Sequence, residues 1–180
     1  MRKLKKRMTD IAAMTALLNS APVGRLGTVG RDGWPNIKPL NFAYHDWRIY
    51  FHCASEGEKL EEIRRDQRVC FEVDLPIAYV KGTGENPCRA SYLYRSIIIR
   101  GKALIIDDPA EKRRGLDLLM AKYQPEGGYG AYQEEKLSIT TVVRIEVDDI
   151  SGKEDLGKDQ VREQAEEALR RCDPLPLVVE

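Results

Sequence analysis

The chain has 180 residues, 42% of them hydrophobic and 32% charged, the make-up of a globular protein with one real core. Lys and Arg number 29 and Asp and Glu number 29, so the net charge is zero, which argues against nucleic acid, a membrane surface or a polyanion as the main partner. No stretch approaches the ~18 consecutive apolar residues of a membrane span, and the charged first ten residues lack the apolar centre of a secretory signal, so a cytoplasmic protein is expected.

In chain order, the basic run Arg2, Lys3, Lys5, Lys6 and Arg7 reads as a solvated arm, with nucleic-acid contact as the sharper alternative. Ile11, Met14, Leu17 and Leu18 recur at helical spacing and predict a helix over 9–19, capped by Thr9. Residues 23–30 read as a strand, Arg31-Asp32-Gly33 as a hairpin turn and 36–44 as the return strand. A turn at His45-Asp46 leads to a third strand over 47–53, and Ser55 opens a helix to about residue 66. A fourth strand covers 68–74, with Val69, Phe71 and Val73 on one face, and 75–90 reads as a loop because it holds two prolines and two glycines. The longest strand signal spans 91–107. Asp108-Pro109-x-Glu111 then starts a helix with a cap, a proline at the first position and a capping-box acid, and Leu116, Leu119, Met120 and Tyr123 form its buried stripe. A glycine- and tyrosine-rich loop over 125–133 precedes a last strand over 138–148, and a polar helix over 159–171 leads into a tail with Pro174 and Pro176. Six strands in short hairpins predict a mainly β fold, an antiparallel barrel with peripheral helices, as one domain over 1–155 with the helix and tail of 156–180 packed on it.

The chemistry concentrates in a few places. Cys53, Cys70, Cys88 and Cys172 form no C-x-x-C pair, and two histidines without ligand spacing predict no metal site. Gly24-Arg25-Leu26-Gly27 and Gly82-Thr83-Gly84 complete no phosphate-loop motif and read as turn glycines. Strand alternation puts His52 on the face of Arg48 and Tyr50, and puts Cys53 in the core with Ile49 and Phe51. Ser55-Glu56-Gly57-Glu58 reads as a capping box, so a helix N-terminus follows His52 and Ala54, with Lys59 in its first turn. Free N–H groups and a partial positive charge make such a terminus an anion site. His52 and Lys59 can complete it for a phosphate, while Glu56 and Glu58 oppose one. An ordinary capped surface helix is the competing reading. Arg95 falls on the apolar face of its strand and needs an anionic partner, either Glu72 or Asp74 or a ligand phosphate. Pro39 interrupts or edges its strand, leaving backbone groups around Leu40 and Asn41 that a planar heterocycle can use.

Taken together, Pro39-Leu40-Asn41-Phe42, Tyr50-Phe51-His52-Cys53-Ala54 with Gly57-x-Lys59, Tyr94-Arg95-Ser96-Ile97 with Gly101-Lys102-Ala103, and Ser151-Gly152-Lys153-Glu154 form a series. Over residues 10 to 160 it resembles the FMN-binding split-barrel superfamily of pyridoxamine 5′-phosphate oxidase, and within it the nitroimidazole-resistance and related flavin-binding proteins. The resemblance implies a six-stranded antiparallel Greek-key barrel and a homodimer with FMN at the subunit interface. It implies that Lys38, Pro39, Leu40 and Asn41 lie along the flavin ring, and that His52, Cys53, Ala54 and Lys59 meet the phosphate. Tyr94, Arg95 and Ser96 are expected near the site, reaching it from the partner chain, and Lys153 close to the cofactor. The oxidase's arginine-rich phosphate cluster and its C-terminal substrate motif are absent, since Glu58 precedes Lys59 and the tail reads Asp173-Pro174-Leu175-Pro176. Oxidation of pyridoxamine phosphate is therefore not expected. The expected activity is that of an FMN-dependent reductase passing electrons from NAD(P)H to a small nitro-aromatic-like acceptor. The alternatives are a non-catalytic flavin carrier, a haem or deazaflavin binder on the same fold, and a structural dimer with a vestigial cleft. No residue stands out as an acid–base catalyst, His52 being the one candidate.

Overall fold

A computed structural model of the chain describes residues 4–82, 86–171 and 177–179. Thr83, Gly84, Cys172 and the prolines of the tail lie outside the described residues. The elements are β1 (Arg7–Met8), α1 (Ile11–Ser20), β2 (Gly24–Val29), β3 (Pro35–Leu40), β4 (Ala43–His45), β5 (Arg48–Ala54), α2 (Glu58–Arg65), β6 (Arg68–Val80), β7 (Ser91–Ile106), α3 (Pro109–Tyr123), α4 (Glu134–Ser138), β8 (Thr140–Asp155), α5 (Asp159–Arg171) and β9 (Leu177–Val179). The chain divides into two compact units, one made of Leu18–Val73 with Ile98–Ile150 and the other of the remaining segments.

In the first unit the strand order is β3-β2-β6-β7-β8-β5-β4. The pairs β2–β3, β2–β6, β4–β5 and β5–β8 are antiparallel, as the short connections require. The order is an open path, yet its two end strands, β3 and β4, are consecutive in the chain and only Asn41 and Phe42 separate them. That two-residue link holds the ends together, so the sheet in this unit must curl. Period-two alternation turns Leu26, Ile49, Phe51, Val69, Phe71, Val73, Ile99, Val143 and Ile145 inward, all buried. The opposite face of β5 and β8 is buried as well. Tyr50 and Val142 pack there against Leu116 and Leu119 of α3. Gly115 permits this approach, because a Cβ on it would stand 2.8 Å from Val142 Cγ1.

In the second unit β1 pairs antiparallel with the end of β8, Arg7 opposite Lys153, and β9 lies parallel to the end of β6. Ile77, Ala78 and Leu93 form a small core with Leu156 and with Ala165 of α5. The arm residue Arg7 is thus tied into a strand.

Several expectations are corrected. The described strands number nine, not six, and β6–β9 is a parallel pair. The 75–90 segment is not a loop throughout: β6 continues to Val80, because Ile77 and Ala78 are buried and a proline at 76 does not stop the strand. The turn after β4 is Asp46-Trp47, both at positive φ, with His45 paired to Arg48 across it. Ser138 closes the short helix α4 rather than opening β8. No helix among the described residues is long and apolar enough to cross a membrane.

Candidate functional site

Most of the expected site residues fall in the first unit, on β3, β5 and α2. β3 is an end strand of the path, so Pro39 sits where its missing N–H costs no ladder bond in the interior of the sheet. Its side chains alternate in an unusual sense. Pro35, Ile37 and Pro39 are exposed, whereas Asn36, Lys38 and Leu40 turn inward and are partly buried. Lys38 Nζ ends 2.6 Å from Glu62 Oε2 and 3.1 Å from Thr28 Oγ1, and 3.8 Å from Glu58 at the start of α2. Lys38 is therefore an internal ion-pair partner, and its charge is already used.

After Leu40 the sheet breaks. Asn41 is exposed, its amide 3.4 Å from the Pro22 carbonyl, and Phe42 is fully buried against Phe71. Tyr123 seals the break: its oxygen accepts from the Phe42 N–H at 3.0 Å, and its hydroxyl lies 2.8 Å from the Pro22 carbonyl and 3.1 Å from that of Phe42. Lys122 was not anticipated. It stands over the Phe42 ring, 3.6 Å from its centroid, and donates to the Leu18 carbonyl at 3.0 Å. Burial without a carboxylate lowers its pKa to about 8. A lysine two positions past the stripe residue Met120 gives no sequence signal of its own.

β5 delivers His52, Cys53 and Ala54 to the start of α2. His52 and Ala54 are exposed, paired in the sheet with Val142 and Thr140. His52 is therefore available to a ligand, and its ring has no partner among the described residues. Two details of the expected strand are corrected. Tyr50, on the His52 face, is buried because α3 covers it, and Cys53 is only half-buried because it is the next-to-last residue of β5, at the edge of that core. Burial nonetheless pushes the Cys53 thiol up, against the pull of Lys59 and Arg64, so it is no thiolate at neutral pH.

The capping box does not form. The N-cap of α2 is Gly57, with no side-chain cap, at φ 130°, a conformation that L side chains avoid. The Gly57 carbonyl accepts from Leu60 and Glu61, and the N–H groups of Glu58 and Lys59 have no partner among the described residues. Lys59 is the second residue of the helix. Its Nζ lies 5.3 Å from the Phe51 ring centroid and has no carboxylate partner among the described residues. An uncapped helix start with one cation free of a carboxylate and two amides without partners among the described residues has the donors that a phosphate-sized anion needs, and His52 is exposed on the strand that leads into it.

Tyr94, Arg95, Ser96 and Lys153 belong to the second unit. All four are partly buried. Arg95 does lie with Leu93 and Ile97, but its partner is Glu154 at 3.1 Å rather than Glu72 or Asp74, since Glu72 already binds Arg25 at 2.9 Å. Lys153 Nζ stands 5.2 Å from the Tyr94 ring centroid. Among the described residues no cluster of His, Cys, Asp or Glu can hold a metal ion.

Lys122 supplies a test of this environment. Its folded-state pKa is depressed, so between about 8 and its ordinary value the unfolded chain binds a proton that the folded chain does not. Stability should therefore rise with pH across that window. In urea titrations, wild type should gain on Lys122→Met between pH 8 and 10, and a pH-independent difference would show a fully solvated amine.

No curated protein matches the chain. Among solved structures, a candidate 5-nitroimidazole antibiotic resistance protein from Bacteroides thetaiotaomicron is 27% identical, with a TM-score of 0.72 over 82% of this chain and 85% of that one. A flavocytochrome from Azotobacter vinelandii is 21% identical with a TM-score of 0.76, over 91% and 77% of the two chains. An FAD and haem binding protein from Mycobacterium smegmatis is 21% identical with a TM-score of 0.76, over 91% and 80%. The model of the pyridoxamine 5′-phosphate oxidase family matches residues 10–154. The chain belongs to the pyridoxamine 5′-phosphate oxidase family.

Proposed function

We propose that the protein binds FMN and uses it as a reductase, passing electrons from NAD(P)H to a small nitro-aromatic-like acceptor. The observation that supports the reading is the uncapped start of α2, where Lys59 and the amides of Glu58 and Lys59 have no carboxylate or carbonyl partner among the described residues and would suit a phosphate, with His52 exposed on the preceding strand. The fit is selective, because Lys38, although adjacent, is already paired with Glu62. The resemblance to a candidate nitroimidazole-resistance protein supports the acceptor class.

Bound FMN would supply the redox chemistry. The chain's part is binding and orientation. Lys59 offsets the phosphate charge and His52 offers it a hydrogen bond. The backbone groups around Pro39, Leu40 and Asn41, at the end of an edge strand, offer donors and acceptors to the rim of the ring. Tyr123 and Lys122 fix the Asn41-Phe42 link from behind. The protonated thiol of Cys53 offers packing rather than a nucleophile. In this reading the protein works as a homodimer, with Tyr94, Arg95 and Ser96 reaching the partner's cofactor and Lys153 close to the cofactor. The exposed apolar residues Val29, Trp34 and Ile37, clustered on the β2–β3 hairpin, support a covered face there.

Purified protein should therefore show a flavin absorbance spectrum, or quench FMN fluorescence on titration, and bleach when NADPH or NADH is added without oxygen. Absence of both binding and quenching would refute the reading, and a haem band would redirect it. Lys59→Ala should weaken FMN by about 1.5–3 kcal/mol, the worth of one charge-assisted contact, and leave riboflavin binding nearly unchanged. Light scattering should give about twice the 20.5 kDa of one chain, and a monomer would remove the shared site.

A further inference from the structure

Glu62 has no role in the activity proposed above, and its setting is unusual. It is the one charged side chain among the described residues that is buried, with 2% exposure. An ionised carboxylate in such a place needs compensation on every side. Glu62 has it. Oε2 accepts from Lys38 Nζ and from Thr28 Oγ1, each at 2.6 Å, and Oε1 accepts from the Asn36 amide. Burial raises the carboxyl's affinity for a proton, but the hydrogen bonds from Lys38, Thr28 and Asn36 outweigh it and hold the group ionised. Thr28 donates its hydroxyl to Glu62 while accepting from Lys38 at 3.1 Å, so the three side chains close a ring of directed bonds.

The position of this ring matters as much as its bonds. Lys38 Nζ also lies 3.8 Å from the carboxylate of Glu58, the first residue of α2, so the amine reaches carboxylates of both the first and the second turn of the helix whose start is the anion site. Lys38 is the second cation at that site, after Lys59, and it is neutralised from within. Lys38 and Lys59 stand against Glu58 and Glu62, and without the Glu62 charge the first two turns of α2 would gain one positive charge close to the helix start.

We propose that Glu62 is a positioning and specificity-determining residue, which holds Lys38 inside the protein so that the anion site presents Lys59 and His52 alone. This rests on the phosphate site of the proposed function. It predicts a gain rather than a loss when the Glu62 charge is removed, and a merely structural prop would not produce one. Glu62→Gln keeps the shape and can still accept from Thr28, and the Asn36 amide can turn over to accept from the new NH₂, but the neutral amide no longer holds the Lys38 ammonium by charge.

The test has two arms. In flavin-free protein, acetic anhydride labelling read by mass spectrometry should modify Lys38 much more slowly than Lys59, and Glu62→Gln should raise the Lys38 rate about tenfold by releasing the amine, a change of about 1.4 kcal/mol in its protection. Equal rates at Lys38 and Lys59 in the wild type would overturn the proposal. In the second arm FMN and riboflavin are titrated against each variant. Glu62→Gln should favour FMN over riboflavin by about a further tenfold at low salt, with the gain shrinking as salt is added. The double variant Lys38→Met with Glu62→Gln should lose that gain. Equal weakening of both flavins, or a gain that survives in the double variant, would overturn it. If wild type binds neither flavin, the proposed function fails, while the labelling arm still decides whether Glu62 holds Lys38.

Discussion

A buried carboxylate with three donors around it ties the site together. Glu62 sits on α2, Thr28 on β2, and Asn36 and Lys38 on β3, so one set of hydrogen bonds fixes a helix to both strands of a hairpin. A buried ion pair of this kind is a poor source of net stability, because desolvation cancels much of the attraction, but removing either partner alone leaves an unpaired charge inside. The arrangement is thus better at enforcing one geometry than at lowering the free energy. That geometry sets where α2 begins relative to β3, and with it the distance between the start of the helix and the segment Pro39 to Asn41.

The second constraint is the break in the sheet at Asn41 and Phe42. Two residues join the first and last strands of the path in the larger unit, and their polar groups cannot be satisfied by a ladder. Tyr123 takes up the Phe42 N–H, and Lys122 closes over the ring. The C-terminal end of α3 therefore does for the ring side of the candidate site what Glu62 does for the phosphate side. Both supports come from side chains that themselves make no expected contact with the ligand.

Much of this was legible in the sequence, and the failures have definite causes. Alternation located the strands around Phe51, Phe71 and Ile145, and the cap, proline and acid at 108–111 located α3, because each signal is local. The bond from Asp108 to the Glu111 N–H is 2.8 Å long, as the motif requires. The capping box at Ser55 failed because the motif fixes only residue types, while the glycine at 57 allowed the chain to enter the helix two residues later with no side-chain cap. The extension of β6 past Pro76 is hidden in the sequence because prolines and glycines punctuate the segment, while the burial of Ile77 and Ala78 that sustains the strand comes from distant elements. The inverted pattern of β3, apolar outward and polar inward, was readable at Asn36, Ile37 and Lys38, but its meaning depends on Glu62, twenty-four residues after Lys38 on another element. Long-range pairs such as Lys38–Glu62, Arg95–Glu154 and Lys122–Phe42 leave no trace in spacing.

The central claim is that the chain holds an anion at the uncapped start of α2, with Lys59 and His52 as its side-chain partners. A crystal structure of the protein grown with FMN tests it most directly. The account predicts the phosphate within hydrogen-bond distance of Lys59 Nζ and of the Glu58 and Lys59 amides, with Lys38 still bound to Glu62. A phosphate bound instead by Arg95 or Lys153, or by a Lys38 released from Glu62, would contradict it.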